Sequence, residues 1–237
     1  YWLTLHISAE HLSETVRQQL SDISDKVMRI TPDGEVSWCT STFHSLRSDT
    51  NGLSYSYTGL KLTIAGSPAS VRNSNNVFGS NDLRTCFHHM IQFFTKHTGI
   101  FIPYTSNLYR CTRIDNTRNY YVGSQANVKI CLDTLKNTST RGDNVERKHS
   151  TIYWNKSSQL RSGKMYNKYL HAKKCIKAHT HEYTDTQLDL TKSILRAELK
   201  LGRQWFQRLE KPWYELTEAD LNKEHDSFFA NIIGSVE

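Results

Sequence analysis

The chain has 237 residues, of which 37% are apolar, 11 are glycine and 4 are proline. That length supports a buried core without disulfides or a structural metal, and that composition excludes collagen-like and low-complexity chains. Lysine and arginine number 30 against 23 acidic residues, a formal net charge of +7, which favours a polyanionic partner, nucleic acid first.

Residues 1–7 (YWLTLHI) alternate as a strand, with Leu3 and Leu5 opposite Thr4 and His6. The opening in mid-strand predicts that a few residues precede Tyr1, and no basic-then-apolar leader is visible. Residues 8–20 read as helical. Strands follow at 35–39 and 60–65, separated by a Ser-, Thr-, Asn- and Gly-rich stretch at 40–59. Ser67-Pro68 and Asn73 to Asn76 mark turns. Residues 82–98 carry the clearest helical signal. Leu83, Cys86, Phe87, Met90, Ile91 and Phe94 form one apolar stripe, with Ser80 or Asn81 as the cap and Gly99 as the stop.

Residues 107–116 (NLYRCTRIDN) read as a strand, 124–136 as a helix and the polar stretch 138–149 as an exposed loop. Residues 150–155 and 164–170 read as a hairpin joined through 156–163; the second segment alternatively begins a helix running to about 178. Residues 193–201 alternate cleanly, with Leu195, Ala197, Leu199 and Leu201 on one face and Arg196, Glu198 and Lys200 on the other. Two helices close the chain near 202–210 and 217–232, the second with a Thr217…Asp220 capping pattern. The order of elements predicts an α+β fold, a central mostly antiparallel sheet flanked by helices, in a single domain over 1–237. No apolar run is long enough to span a membrane. The five cysteines lack any C-x-x-C spacing, which argues against a disulfide framework or a cysteine zinc site and for a reducing cytoplasm.

Three short segments place charged residues two apart, so that on strands they project from one face. They are Thr112-Arg113-Ile114-Asp115, Lys164-Met165-Tyr166-Asn167-Lys168 and Arg196-Ala197-Glu198-Leu199-Lys200. One sheet face carrying all three gathers Asp115, Glu198, Tyr166, Lys168 and Arg113. Two carboxylates without competing sulfur suit a hard cation, Mg²⁺ or Mn²⁺. A tyrosine phenol is a poor nucleophile near neutral pH. A nearby lysine or the metal lowers the cost of its phenolate, which can then attack a phosphodiester. Each segment also has a plainer account: a surface Arg–Asp pair, a lysine on a solvated face, a cross-strand charge ladder.

Ser67-Pro68-Ala69-Ser70-Val71 followed by Asn76-Val77-Phe78-Gly79-Ser80-Asn81-Asp82-Leu83 resembles the S-P-A-K-V…H-N-V-F-G-T-T-D-L segment of the filamentous phage gene II replication initiator family. Thr112 to Asp115 resembles its S-R-I-D, Ser150 to Asn155 its S-T-V-T-W-N, and Leu195 to Glu198 its V-R-F-E. A gapless continuation sets Tyr166 and Lys168 on its Y-x-K, whose tyrosine is the nicking nucleophile. The matches run in order from about 60 to 201.

The resemblance implies a rolling-circle initiator with a fold related to the HUH endonucleases and relaxases. Such an enzyme nicks one strand of a phage origin, stays joined to the 5′ phosphate through tyrosine and later rejoins the displaced strand into a circle. It also implies a bacterial-host cytoplasm, host helicase and polymerase as partners, and family members that extend past residue 237.

HUH enzymes carry two metal-binding histidines on a strand ahead of the tyrosine, and nothing before Tyr166 matches that. His179-Thr180-His181 has the spacing but follows it, and His88-His89 lies on a helix. The expected metal set is therefore Asp115 and Glu198 with His6 as a third candidate. Tyr169, with Lys173 four residues on, is a rival nucleophile. Arg113, Lys148, Lys156, Arg161, Lys164, Lys173 and Arg196 are the expected DNA contacts, all but Arg113 and Arg196 within a basic run from Arg141 to Lys177 that includes His149. Tyr153, Trp154, Tyr120 and Tyr121 are aromatic candidates for stacking or for core. The competing functions are a non-catalytic origin-binding or repressor module of the same fold and an unrelated RNA-binding domain.

Overall fold

The computed structural model describes residues 1–48, 51–73, 75–80, 82–136, 144–148 and 150–233. In chain order the main elements are β1 (Trp2–Ser8), α1 (Glu14–Asp22), β2 (Lys26–Ile30), β3 (Val36–Ser41), β4 (His44–Ser48), β5 (Asn51–Tyr57), β6 (Lys61–Gly66), α2 (Pro68–Arg72), α3 (Leu83–Thr98), β7 (Tyr109–Tyr121), α4 (Gln125–Lys136), β8 (Val145–Lys148), β9 (Thr151–Trp154), β10 (Arg161–Asn167), α5 (Lys168–Lys177), α6 (Asp185–Leu190), β11 (Ile194–Leu201), α7 (Arg203–Gln207) and α8 (Glu218–Ile233). Nine strands form one sheet in the order β4-β5-β6-β1-β7-β11-β10-β9-β8, every neighbouring pair antiparallel. β2 and β3 make a separate two-stranded ribbon. Among the described residues no helix is long and apolar enough to cross a membrane.

One face of the sheet is the core face. Leu3, Leu5 and Ile7 of β1, Cys111 and Ile114 of β7, and Ala197, Leu199 and Leu201 of β11 are all buried. Two long helices cover it. α3 brings Phe94 edge-on to Tyr55 and Phe87 edge-on to Tyr109. α8 brings Phe229 edge-on to Trp154, and its Leu221 carbonyl accepts a 2.8 Å bond from Asn116. Gly163 is required beneath α8, because a Cβ there would lie 2.3 Å from the Phe228 ring.

A bulge in β7 decides what the opposite face carries. Thr4 pairs with Arg113, but Leu5 pairs with Cys111, so Thr112 is an extra residue. The insertion flips the side-chain alternation. Tyr109 and Cys111 before it, and Ile114 and Asn116 after it, all point into the core. Arg113, Asp115, Thr117 and Asn119 therefore point the other way.

Several elements depart from the sequence pattern. The polar stretch 40–59 forms β4 and β5, in which Leu53, Tyr55 and Tyr57 are buried and polar residues alternate with them. β2 carries no inward face, so it leaves no periodic signal. The first helix starts only at Glu14, after a short 3-10 turn, with Ser13 as cap. α3 is capped by Asp82, whose carboxylate accepts from the Arg84 and Thr85 amides, in place of Ser80; Asn81 lies outside the described residues. Residues 145–148, expected in a loop, extend the sheet as its edge strand. The helix expected over 202–210 is the single turn-and-a-half of α7. The segment beginning at residue 164 is divided between the two expected alternatives: the strand ends at Asn167, whose side chain caps α5 by accepting from the Leu170 amide at 3.0 Å.

Candidate active site

The non-core face of β7, β11 and β10 carries a polar patch. Across β7–β11 the register sets Lys200 opposite Asp115, Glu198 opposite Thr117 and Arg196 opposite Asn119. Across β10–β11, Lys164 lies opposite Glu198 and Tyr166 opposite Arg196. Directly opposed residues share a face, so the period-two spacing of all three segments converges here. The patch floors a cavity of about 780 Å³ whose lining also includes Ser67, Ala69, Ser70, His171, Cys175 and His181. Asp115, Tyr166, Glu198, Arg113, Lys164 and Arg196 all line it.

The Tyr166 hydroxyl donates to Glu198 Oε1 at 2.5 Å, and Lys164 Nζ meets Glu198 Oε2 at 2.7 Å. Burial works against the charge on Glu198, yet the Lys164 ammonium, its hydrogen bond, the Tyr166 hydroxyl and Arg196 hold the pKa down to about 2. Burial, followed by the negative charge of Glu198, holds the Tyr166 phenol well above its ordinary value. The site thus keeps an ionised carboxylate and a neutral, oriented phenol. Lys164 Nζ is 5.3 Å from the Tyr166 ring centre, and the His171 ring lies 5.1 Å from it. Burial pushes the His171 pKa down to about 3, so that imidazole is neutral.

Arg113 clasps Asp115 through both fork nitrogens, at 2.7 and 2.6 Å, and its guanidinium stands over Trp2. Arg196 is 2% exposed. Its Nε donates to Asn119 Oδ1 at 2.8 Å and its Nη2 to the Val77 carbonyl at 3.0 Å.

Other expected site residues lie elsewhere. Lys168 is the first residue of α5 and, unlike Tyr166, does not line the cavity. It is fully buried, and its Nζ donates to Asn76 Oδ1 at 2.6 Å and to the Tyr183 hydroxyl at 3.5 Å. Burial, then the Arg196 guanidinium, push its pKa down to about 6. Tyr169 is on α5 beside the Lys173 and Lys192 ammoniums and does not line the cavity. A helix from residue 164 would have put both tyrosines on one face; the cap at Asn167 separates them.

His6 does not join the carboxylates. Its two ring nitrogens bond the Thr63 and Thr112 hydroxyls at 2.9 and 2.8 Å, and burial pushes its pKa down to about 4. Among the described residues no group of three His, Cys, Asp or Glu is placed to hold a metal. The expected trio of Asp115, Glu198 and His6 is therefore not assembled. The remaining donors still fit a hard cation, because Mg²⁺ is commonly held by one or two carboxylates together with substrate phosphate oxygens. Such an ion would be held by Asp115 and Glu198 and would polarise a phosphodiester.

Among the described residues the expected DNA contacts lie in several settings. Arg113, Lys164 and Arg196 line the cavity. Lys148 and Lys156 both pair with Glu146 at the β8 edge, Arg161 pairs with Glu224, and Lys173 lies over the Tyr169 ring. Arg141 and His149 lie outside the described residues. Of the aromatic candidates, Trp154 is core and Tyr120 lines the cavity. His181 lines the cavity as well, its Nε2 bonded to Ser70 Oγ at 3.2 Å.

Sequence reasoning missed Thr117 and Asn119, although both continue the spacing of Arg113 and Asp115. The strand is five residues longer than the pattern suggests. Asn76 and the Val77 carbonyl were also missed, and their signal is the N-V-F-G motif.

The family model for the N-terminal region of the phage replication-associated protein, the gene II product, matches residues 2–225. The chain belongs to this family. Among curated family relatives, the replication-associated protein of Enterobacteria phages f1, fd and M13 is in each case 27% identical over 161 residues. The match covers 63% of this chain and 39% of each relative, so the chain spans well under two thirds of those gene II proteins. A solved rolling circle replication initiator protein from Geobacillus stearothermophilus is similar at a TM-score of 0.44 and 12% identity, over 97% of this chain and 83% of that one.

Proposed function

We propose that this gene II-family chain is the nicking and joining domain of a rolling-circle replication initiator, with Tyr166 as the nucleophile toward single-stranded origin DNA. The observation that carries this reading is the 2.5 Å bond from the Tyr166 hydroxyl to Glu198 inside a cavity lined by Arg113, Arg118, Lys164 and Arg196. A neutral phenol already aligned on a carboxylate is a nucleophile next to its base. Arg113, Lys164 and Arg196 suit the charge of a phosphodiester and the extra charge of its transition state.

In the nicking step the bond from Tyr166 Oη to phosphorus forms as the bond from phosphorus to the 3′ oxygen breaks. The phenol proton passes to Glu198. The departing 3′ oxygen takes a proton from Lys164, and the proton on Glu198 restores the lysine. The products are a 5′-phosphotyrosine and a free 3′ hydroxyl, and reversal with a second 3′ end closes a circle. A divalent cation at Asp115 and Glu198 would lower the cost of placing negative charge near the already charged Glu198. Origin DNA is the substrate in this reading, and host replication enzymes would extend the 3′ end.

The test is an SDS-stable adduct. The protein is incubated with end-labelled single-stranded DNA covering the phage origin region, with and without Mn²⁺, and the modified peptide is sequenced by mass spectrometry. The expected result is a label on Tyr166 that is lost in Tyr166→Phe and kept in Tyr169→Phe. An adduct that survives Tyr166→Phe overturns the assignment. DNA binding with no adduct under any condition supports the non-catalytic origin-binding alternative.

A further inference from the structure

The N-V-F-G motif is only partly explained by the chemistry of nicking. Its backbone is fixed from several sides. Asn75 donates to the Glu182 carbonyl and to Gln187 Oε1, both at 3.0 Å, and its own Oδ1 accepts from the Val77 amide at 3.1 Å. Asn76 accepts from the buried Lys168 amine. The Val77 carbonyl accepts from Arg196 and from Asn119 Nδ2, at 3.0 and 3.1 Å. Gly79 closes the segment against Ala69, where a Cβ would come within 3.1 Å of the alanine methyl. Asn75, Val77 and Lys168 are buried.

Phe78 is the exception. The residue is 51% exposed, although its neighbours on both sides are tied down, and it lines the same cavity as Tyr166 and Glu198. A single exposed phenylalanine on a mobile loop would need no explanation. Here the segment commits buried hydrogen bonds, including one from a fully buried amine, to hold an uncovered ring at a cation-lined cavity.

We propose that Phe78 is a stacking platform for an unpaired base next to the phosphate that Tyr166 attacks. This rests on the reading of the cavity as a single-stranded DNA site. Aromatic faces beside cations that track the backbone are the means by which proteins hold single strands, and they tolerate any base. A ring that is already fixed loses little freedom on binding, so most of the stacking energy reaches the complex. Phe78 is thus a positioning residue: by seating one base it sets the neighbouring phosphorus against Tyr166 Oη.

The experiment measures binding of a fluorescein-labelled, mixed-sequence single-stranded 12-mer to the 237-residue chain by anisotropy at fixed salt. Phe78→Ala should weaken binding about 5- to 150-fold, Phe78→Leu should weaken it nearly as much, and Phe78→Trp should stay within about threefold of the parent. Thermal melting of each variant is compared, since an exposed ring contributes little to stability. An abasic site walked along the 12-mer should reveal one position at which Phe78→Ala adds no further loss. Equal binding of Phe78→Ala and parent overturns the platform and leaves the nicking reading intact. So does Phe78→Trp falling to the level of Phe78→Ala with unchanged melting. No measurable binding by the parent removes the nicking reading and the platform together.

Discussion

The site face of the sheet and the β2–β3 ribbon invert the usual placement of side chains in opposite senses. On and beside the site face, charged groups are buried: Lys168 is 0% exposed, Arg196 2% and Asp115 7%. On the ribbon, apolar groups are out: Ile30 is 60% exposed, Val36 55%, Met28 52% and Trp38 47%. The buried charges persist because each has a fixed polar partner, which offsets a desolvation cost that would otherwise be several kcal/mol per ion. Arg113 has Asp115, Lys164 has Glu198, and Arg196 has Asn119 and a carbonyl, while the Lys168 amine gives up its proton near neutral pH and as a neutral group donates to Asn76. None of these ribbon residues belongs to the core cluster. The difference teaches that stability is concentrated on the core face, while the site face trades stability for positioned charge and the ribbon contributes little to either.

The sharpest way to break this comparison is at Glu198. If it takes the phenol proton, Glu198→Gln keeps the hydrogen bond from Tyr166 but should slow adduct formation by about 10²- to 10⁴-fold, in single-turnover assays; a loss of less than tenfold would make Glu198 a structural partner only. Gly163→Ala probes the core face, where overpacking against Phe228 and Phe229 should cost roughly 1–3 kcal/mol in urea unfolding. An unchanged midpoint would show that α8 can shift off the sheet.

Lys168 gives a pH signature of the buried-charge side. Its folded pKa is lowered to about 6, whereas an unfolded lysine titrates near about 10.4. Between those values the unfolded chain binds a proton that the folded chain lacks, so this residue makes stability rise with pH across that window, and its cost is complete below about pH 6. Lys168→Met should therefore flatten the rise, by up to about 1.4 kcal/mol per pH unit, in urea midpoints compared at pH 6 to 9.5. Parallel curves for the two proteins would mean that the amine stays charged. The smallest effect is expected on the ribbon: Trp38→Ser should change stability by less than about 0.5 kcal/mol. A loss above about 2 kcal/mol would show that the ribbon is covered in solution and would erase the contrast.

Local periodicity made much of this legible. The 3.6-residue stripe of α3, the period-two face of Leu195 to Leu201 and the spacing of Arg113–Asp115 and Lys164–Tyr166 are properties of neighbouring residues, and they emerge as expected. β4 and β8 escaped because edge strands are polar on much of their surface and draw their definition from a partner strand, and β5 because its buried Leu53, Tyr55 and Tyr57 are set in a stretch rich in Ser and Gly. The extra residue Thr112 escaped for a related reason. A bulge is a mismatch between two strands, and one strand alone contains no mismatch.

Sequence by itself determined the α+β class, the basic character, the family and the residue types that meet at the cavity floor. Tertiary structure decided the rest. The cap at Asn167 sends Lys168 into a buried helix start and parts Tyr169 from Tyr166, His6 is claimed by Thr63 and Thr112, and a loop some thirty residues before β7 supplies the carbonyl that holds Arg196. Those outcomes turn on which distant groups satisfy a buried polar atom, and such partnerships exist only once the chain has folded.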